Sequence, residues 1–215
     1  MRTASMLEQP LKFFVVFFVV VEPVSLIPLF TSLTAGAATA YKRRMALKAI
    51  CVAAAILLLF SLGGAPFLAL MGISLEAFRI FGGLLLFLLA LEMVFARESG
   101  TRTSSDEAAE SRRRADISVF PLAFPFIAGP GALATILLWF GPVQLPAQTA
   151  LFVAYLIAVM LVLAVALVLM LLADPLMRVI GVTGANVASR LLGVILGALA
   201  VQFVLDGLRQ AFGIS

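Results

Sequence analysis

Charged side chains fall in short groups along this 215-residue chain, and long apolar runs lie between them. Residues 117–173 carry no charge at all. At about 1.5 Å of helix per residue, that run is far too long for one bilayer crossing. It must fold into two, turning near Gly141-Pro142-Val143-Gln144-Leu145-Pro146. The same alternation predicts a first span over about Leu11–Thr34, a second within the uncharged stretch Ala49–Leu75 and a third over about Leu75–Ala96. The fourth and fifth divide the 117–173 run, and the sixth covers about Ala188–Phe212. Glu22-Pro23 follows the first apolar run without a small-residue cleavage site, so that run is expected to remain as a span and not as a removed leader.

Composition agrees with this pattern. Apolar residues make up 63% and charged residues 12% of the chain, with a mean hydropathy of +1.18, outside the range of soluble domains. The net charge of +4 therefore reports loop orientation, and no nucleic-acid partner is expected. The polar stretch 97–116, with Arg112-Arg113-Arg114, reads as a cytoplasmic loop between residues 1–96 and 117–215. Lys42, Arg43, Arg44, Lys48, Arg97, Arg102, Arg112, Arg113, Arg114, Arg178 and Arg190 follow odd-numbered spans; Arg2, Lys12, Arg79 and Arg209 lie on the other side. The bias places both termini outside the cytoplasm. The single cysteine, Cys51, excludes an intrachain disulfide and reads as a packing residue. The absence of histidine removes His-based triads and the commonest transition-metal ligand.

The two halves resemble each other. Ala65–Ser74 and Asp174–Thr183 share Pro, Gly and a terminal hydroxyl residue at an offset of 109. Glu22-Pro23 meets Gly129-Pro130 at 107, and Arg79-Ile80-Phe81-Gly82 meets Arg190-Leu191-Leu192-Gly193 at 111. Three spans per unit is an odd number, so the second unit must enter the bilayer from the opposite side. The expected fold is all-α: a polytopic membrane protein of six transmembrane helices in two inverted three-helix repeats, with helices 1 and 4 broken near the midplane.

The breaks are the candidate chemistry. Pro23 lacks an N–H and should loosen the first span around Val19, with Pro28 repeating the disturbance. Gly129 can adopt conformations closed to other residues, and Pro130 suits the first position of a new helix. The N–H groups of Gly131, Ala132 and Leu133 would then lack partners, as would those of Val24, Ser25 and Leu26. Unpaired backbone groups within the bilayer are tolerated only where protein, water or a ligand completes them. Small Gly129, Gly131, Ala132 and Ser25 leave room for a small zwitterionic solute, its carboxylate on backbone donors and its ammonium on freed carbonyls or Glu22. The alternative is that these prolines merely kink helices for packing. Glu22, Pro23, Ser25, Pro28, Gly129, Pro130, Gly131 and Ala132 are thus the expected substrate-binding residues. Glu22 could also bind Na⁺ or carry a proton, and no other cofactor or metal is expected. Arg79 and Glu92, like Arg190 and Asp206, read as structural, while Gly82-Gly83 and Gly193–Gly197 read as close helix contacts.

Several of these residues resemble the MarC family of bacterial and archaeal membrane proteins, also called the neutral amino acid transporter family. The resemblance rests on Glu22-Pro23-Val24-Ser25-Leu26-Ile27-Pro28-Leu29-Phe30, on Gly72-Ile73-Ser74 with Ala77-Phe78-Arg79-Ile80-Phe81-Gly82-Gly83, and on Asp116-Ile117, Pro121-Leu122-Ala123-Phe124-Pro125 and Ala128-Gly129-Pro130-Gly131-Ala132. It implies a six-span inner-membrane protein, some relatives of which move small neutral amino acids such as glycine and alanine. The chain departs from the family's usual pattern at Glu22, where Asp or Asn is common, at Ser25 and at Leu26. The function expected is a secondary transporter for such amino acids working by alternating access. Export of another small metabolite or drug, and a passive pore or scaffold, are the alternatives. No enzymatic chemistry is expected, because no nucleophile–base pair is evident.

Overall fold

A computed structural model describes residues 2–95 and 116–213, and all its regular elements are helical among those residues. Helices α1 (Arg2–Val21) and α2 (Leu26–Leu33) are separated by a short turn, followed by α3 (Thr39–Leu70) and α4 (Leu75–Phe95). The second half opens with a wide-turned π-type segment, π1 (Ser118–Ile127), and continues with α5 (Pro130–Phe140), α6 (Thr149–Leu171) and α7 (Ala173–Phe212). Five helical stretches are long and apolar enough to cross a membrane, the first being Glu8–Leu33 across the α1–α2 break; π1 with α5, bent by 53°, makes a sixth. Of the polar loop 97–116 only Asp116 is among the described residues, so its arginine cluster lies outside them.

Helix ends differ from the apolar runs in two places. α3 begins at Thr39, ten residues before the uncharged stretch, so Lys42, Arg43, Arg44 and Lys48 lie on its first turns. Helix propensity continues through these long polar side chains although they cannot enter hydrocarbon. α7 begins at Ala173 and is interrupted at Gly181, whose φ of 67° and ψ of 173° end one short helix and start another. Gly72, its partner in the offset of 109, has φ 69° and separates α3 from α4. Both positions need a left-handed residue, which glycine adopts without a Cβ penalty.

Packing follows the same order in each half. α1 lies on α6 as π1 lies on α3, and α2 lies on α7 as α5 lies on α4. The most extensive contact joins α4 to α7. Glycines make it close: an added Cβ at Gly83 would sit 2.9 Å from the Ala200 carbonyl oxygen, and at Gly207 2.8 Å from Ile80 Cγ1. The expected close contacts at Gly83 and Gly193 are therefore present. Past the middle of α1, Phe13 packs among Phe17, Trp139, Phe140 and Tyr155, fixing α1 against α5 and α6. Apolar side chains cover much of the outer surface, as lipid contact requires; Leu59, Leu70, Phe81 and Val179 are all exposed.

Candidate functional site

The first break falls at Glu22–Ser25, three residues beyond the expected weakening at Val19. α1 stays helical through Val21, and the Glu22 N–H still donates to the Phe18 carbonyl at 2.9 Å. Glu22 then turns left-handed with φ 53°, the only non-glycine residue with positive φ among those described. A residue before proline is driven from the right-handed helix, and Asp or Asn adopts this conformation more readily than Glu. Pro28 is no second disturbance: it lies in the first turn of α2, where its missing N–H costs no helix bond.

Most of the donors expected on this side are used. The N–H groups of Ser25 and Leu26 donate to the carbonyls of Glu22 and Pro23 at 3.0 and 3.3 Å, so they do not form an open helix terminus. The carbonyls are a different matter. Those of Val19, Val20 and Val21 would accept from residues 23, 24 and 25 in a continuing helix. Pro23 has no N–H, Val24 has left the helix and Ser25 donates elsewhere. The break therefore presents the acceptor end of α1.

Glu22 is 2% exposed, and its carboxyl group is enclosed by hydroxyls. Ser25 and Ser189 both donate to its Oε1, and the two serine oxygens lie 2.6 Å apart. Ser189 comes from α7 and was not among the expected site residues. A serine in an apolar helix has no local feature that distinguishes a site from a packing position.

The second break has the form expected. Gly129 is extended, with φ −75° and ψ 175°, and Pro130 opens α5. An added Cβ at Gly129 would stand 2.1 Å from the Pro125 carbonyl oxygen, so only glycine allows this approach. The Leu133 N–H donates to the Gly129 carbonyl at 3.0 Å, which removes it from the expected set of open donors. Gly131 and Ala132 precede any available helix acceptor and keep theirs. Upstream, Phe120 and Phe124 are extended between wide turns, with Leu122 and Ala128 each donating five residues back. The disruption is longer than Gly129-Pro130-Gly131.

The two breaks meet. Val20 Cγ1 would lie 3.3 Å from a Cβ at Gly131, and Leu86 and Leu89 of α4 close the same space. Val20, Leu89, Pro125, Gly129, Pro130, Gly131 and Ala132 line a cavity of about 30 Å³. That is room for a water molecule or two. Glu22, Pro23, Ser25 and Pro28 do not line it, so the structure brings Gly129–Ala132 together with α1 but sets the Glu22 carboxyl group against α7 instead.

A second cavity, of about 290 Å³, lies where α2, the start of α3 and the α6–α7 junction converge. It is lined by Phe30, Thr39, Lys42, Arg43, Met170, Leu171 and Asp174. Lys42 Nζ donates to Asp174 Oδ2 at 2.7 Å across the two halves. Lys48 likewise joins Asp116, whose Oδ1 also accepts from the Ser118 hydroxyl and N–H. The Lys48 ammonium first, and then Ser118, hold the Asp116 carboxyl group well below the usual carboxylate range. Arg79 and Glu92 are half-buried on α4, too far apart in the helix to pair with each other, and Asp206 accepts from Gln202 at 2.8 Å. No cluster of metal-binding side chains occurs among the described residues.

The family pattern described as MarC family integral membrane protein matches residues 7–212. A UPF0056 membrane protein of Aquifex aeolicus is 36% identical over 200 residues, covering 93% of this chain and 92% of the relative. The UPF0056 membrane protein YhcE of Escherichia coli is 34% identical over 201 residues, covering 94% and 92%. A relative from Methanocaldococcus jannaschii, again a UPF0056 membrane protein, is 33% identical over 195 residues, covering 91% and 84%. No solved structure matches the chain.

Proposed function

The chain belongs to the MarC family of integral membrane proteins, and from that premise we propose that it is a secondary transporter for small neutral amino acids. The observation that carries the reading is the meeting of two opposite helix ends. The C-terminus of α1 offers the carbonyls of Val19, Val20 and Val21, and the N-terminus of α5 offers the N–H groups of Gly131 and Ala132. Val20 packs against Gly131, so the two ends are neighbours. Helix dipoles give the first a partial negative charge and the second a partial positive one. A zwitterion matches that pair: its carboxylate takes the α5 donors and its ammonium takes the α1 acceptors. The Glu22 carboxyl group is engaged by two serines and is not needed for either charge.

The present cavity is too small for the solute, which fits a carrier caught between its open states better than a standing pore. Exchange of packing partners between the halves supports an internal two-fold relationship, and three spans per half would make it an inverted one. Rocking of one half against the other would open the space beside Gly131 alternately to each side. The basic bias of the loops after the odd-numbered spans supports an inner-membrane topology with both termini outside the cytoplasm.

The test is counterflow and concentrative uptake of radiolabelled glycine, alanine, serine and threonine into proteoliposomes of the purified chain. Runs with a Na⁺ gradient and with a pH gradient separate the two candidate coupling ions. Accumulation against a gradient supports a carrier. Equilibration alone supports a pore, and no flux of any of the four turns the assignment to export of another small metabolite or drug.

A further inference from the structure

The cavity of about 290 Å³ at the α2–α3–α6–α7 junction is built unlike the one beside Gly131. Its apolar lining is Leu171, 43% exposed, backed by the buried Phe30 and Met170. Its rim carries both signs of charge, with Lys42 and Arg43 on α3 and Asp174 at the start of α7. The Lys42–Asp174 pair is made through Oδ2 alone, at 2.7 Å. A carboxylate has acceptor sites on both oxygens and an ammonium has three donors. Oδ1 of Asp174 and two Lys42 N–H groups can therefore engage a third party without breaking the pair.

From this geometry we propose a second, outer binding site that takes a free α-amino acid by its two charges. The ammonium binds Asp174, the carboxylate bridges Lys42 and Arg43, and the side chain lies against Leu171. The preformed ion pair orients the solute: a molecule carrying only one of the two charges meets a like charge beside its partner. The chemistry is that of a zwitterion about the size of alanine or serine against an apolar wall. As a loading site it depends on the carrier reading above, but its existence does not.

The experiment is equilibrium binding of radiolabelled alanine to the purified full chain in detergent and in nanodiscs with and without phosphatidylethanolamine. Propionate and ethylamine serve as competitors. Wild type should bind alanine, and each single-charge analogue should compete at least about tenfold more weakly, the scale of one lost charge-assisted contact. Asp174→Asn should weaken binding about tenfold or more. Because that change also breaks an ion pair, Leu171→Trp is the second variant. It fills the rim at a position already 43% exposed, leaves every charge in place and should abolish binding in a Gly131→Leu background, where the inner cavity is already filled. Gly131→Leu, which fills only the inner cavity, should leave outer binding intact. Alanine binding by the Gly131→Leu protein that survives both Asp174→Asn and Leu171→Trp, or that is absent from Gly131→Leu itself, overturns the site. Binding lost wherever phosphatidylethanolamine is present, with the lipid retained at this position, also overturns it and makes a lipid headgroup the occupant. Binding that follows the expected pattern while proteoliposomes show no flux keeps the site and refutes the transport of these amino acids.

Discussion

Ser189 donates its hydroxyl to the carboxyl group of Glu22, 167 residues earlier in the chain. One contact thereby fastens the broken first span to α7, across the two halves. Ser25, the other donor to the same oxygen, lies in the break itself. Loss of Ser189 therefore removes the only one of these two bonds that reaches the second half.

Ser189→Ala is accordingly expected to destabilise the protein by about 1–2 kcal/mol, near the lower end for a bond to a buried carboxyl group because Ser25 remains. Thermal unfolding of the purified protein in detergent, with wild type run in parallel, measures it. An unchanged midpoint would make the contact incidental.

Gly129 and Gly131 are two residues apart and should fail differently. At Gly129 a Cβ meets the backbone oxygen of Pro125 at 2.1 Å, and a backbone atom cannot move aside within a packed break. Gly129→Ala should lose folded protein, read as monodisperse yield after extraction. At Gly131 the neighbours are the side-chain ends of Leu86, Val20 and Leu89 at 3.1–3.4 Å, which can shift slightly. Gly131→Ala should fold and transport more slowly. Gly131→Leu should insert and fold yet show no counterflow, because its side chain occupies the space between the two helix ends. Wild-type flux in Gly131→Leu would place the pathway elsewhere.

What the sequence disclosed follows from how local each signal is. Proline and glycine act on the backbone of their own turn, so the breaks at Glu22-Pro23 and Gly129-Pro130 were legible, as were the equivalent positions Gly72 and Gly181. Long uncharged runs likewise revealed that the chain carries several helices apolar enough to cross a membrane. Helix ends within polar sequence were harder: Tyr41-Lys42-Arg43-Arg44 carries helix propensity but no apolar run to mark that α3 has already begun. The direction of each break was also hidden. Pro23 announces a disturbance, but the turn that consumes the Ser25 and Leu26 donors and leaves the Val19–Val21 carbonyls depends on the left-handed Glu22. Partners distant in sequence were not legible. Ser189 and Asp174 acquire their roles only when α7 packs against α2 and α3.

Asp116 gives a pH dependence whose sign can be fixed. Lys48 and Ser118 depress its folded-state value, so its contribution to stability is present at pH above the ordinary carboxylate value of about 4. It is lost as pH falls below that toward the depressed value. Asp116→Asn should therefore be less stable than wild type at pH 7, and the gap should narrow in acid below about pH 4. Both side chains are nearly half exposed, 45% for Lys48 and 43% for Asp116, so salt should shrink the gap as well. Unfolding midpoints of the two proteins across pH, at low and high salt, test both trends. A gap that grows in acid contradicts the assignment.

Gly193 and Gly197 share one face of α7, and by spacing alone either could set its approach to α4. The geometry separates them. A Cβ at Gly193 would lie 2.7 Å from Met93 Cβ and 3.1 Å from the Ala90 carbonyl oxygen; at Gly197 its nearest neighbour, Ala90 Cβ, is 3.6 Å away. The first distance involves atoms fixed to the α4 backbone, so the helices themselves must part. The second is ordinary van der Waals contact, and alanine there gains packing and helix propensity. Gly193→Ala is expected to cost about 1–3 kcal/mol of stability by overpacking. Gly197→Ala should leave stability unchanged or raise it by up to about 1 kcal/mol. The two variants differ only in which turn of α7 carries the methyl group, so unfolding measured side by side isolates the seam. Equal effects would mean that the α4–α7 contact is looser than the glycine geometry requires.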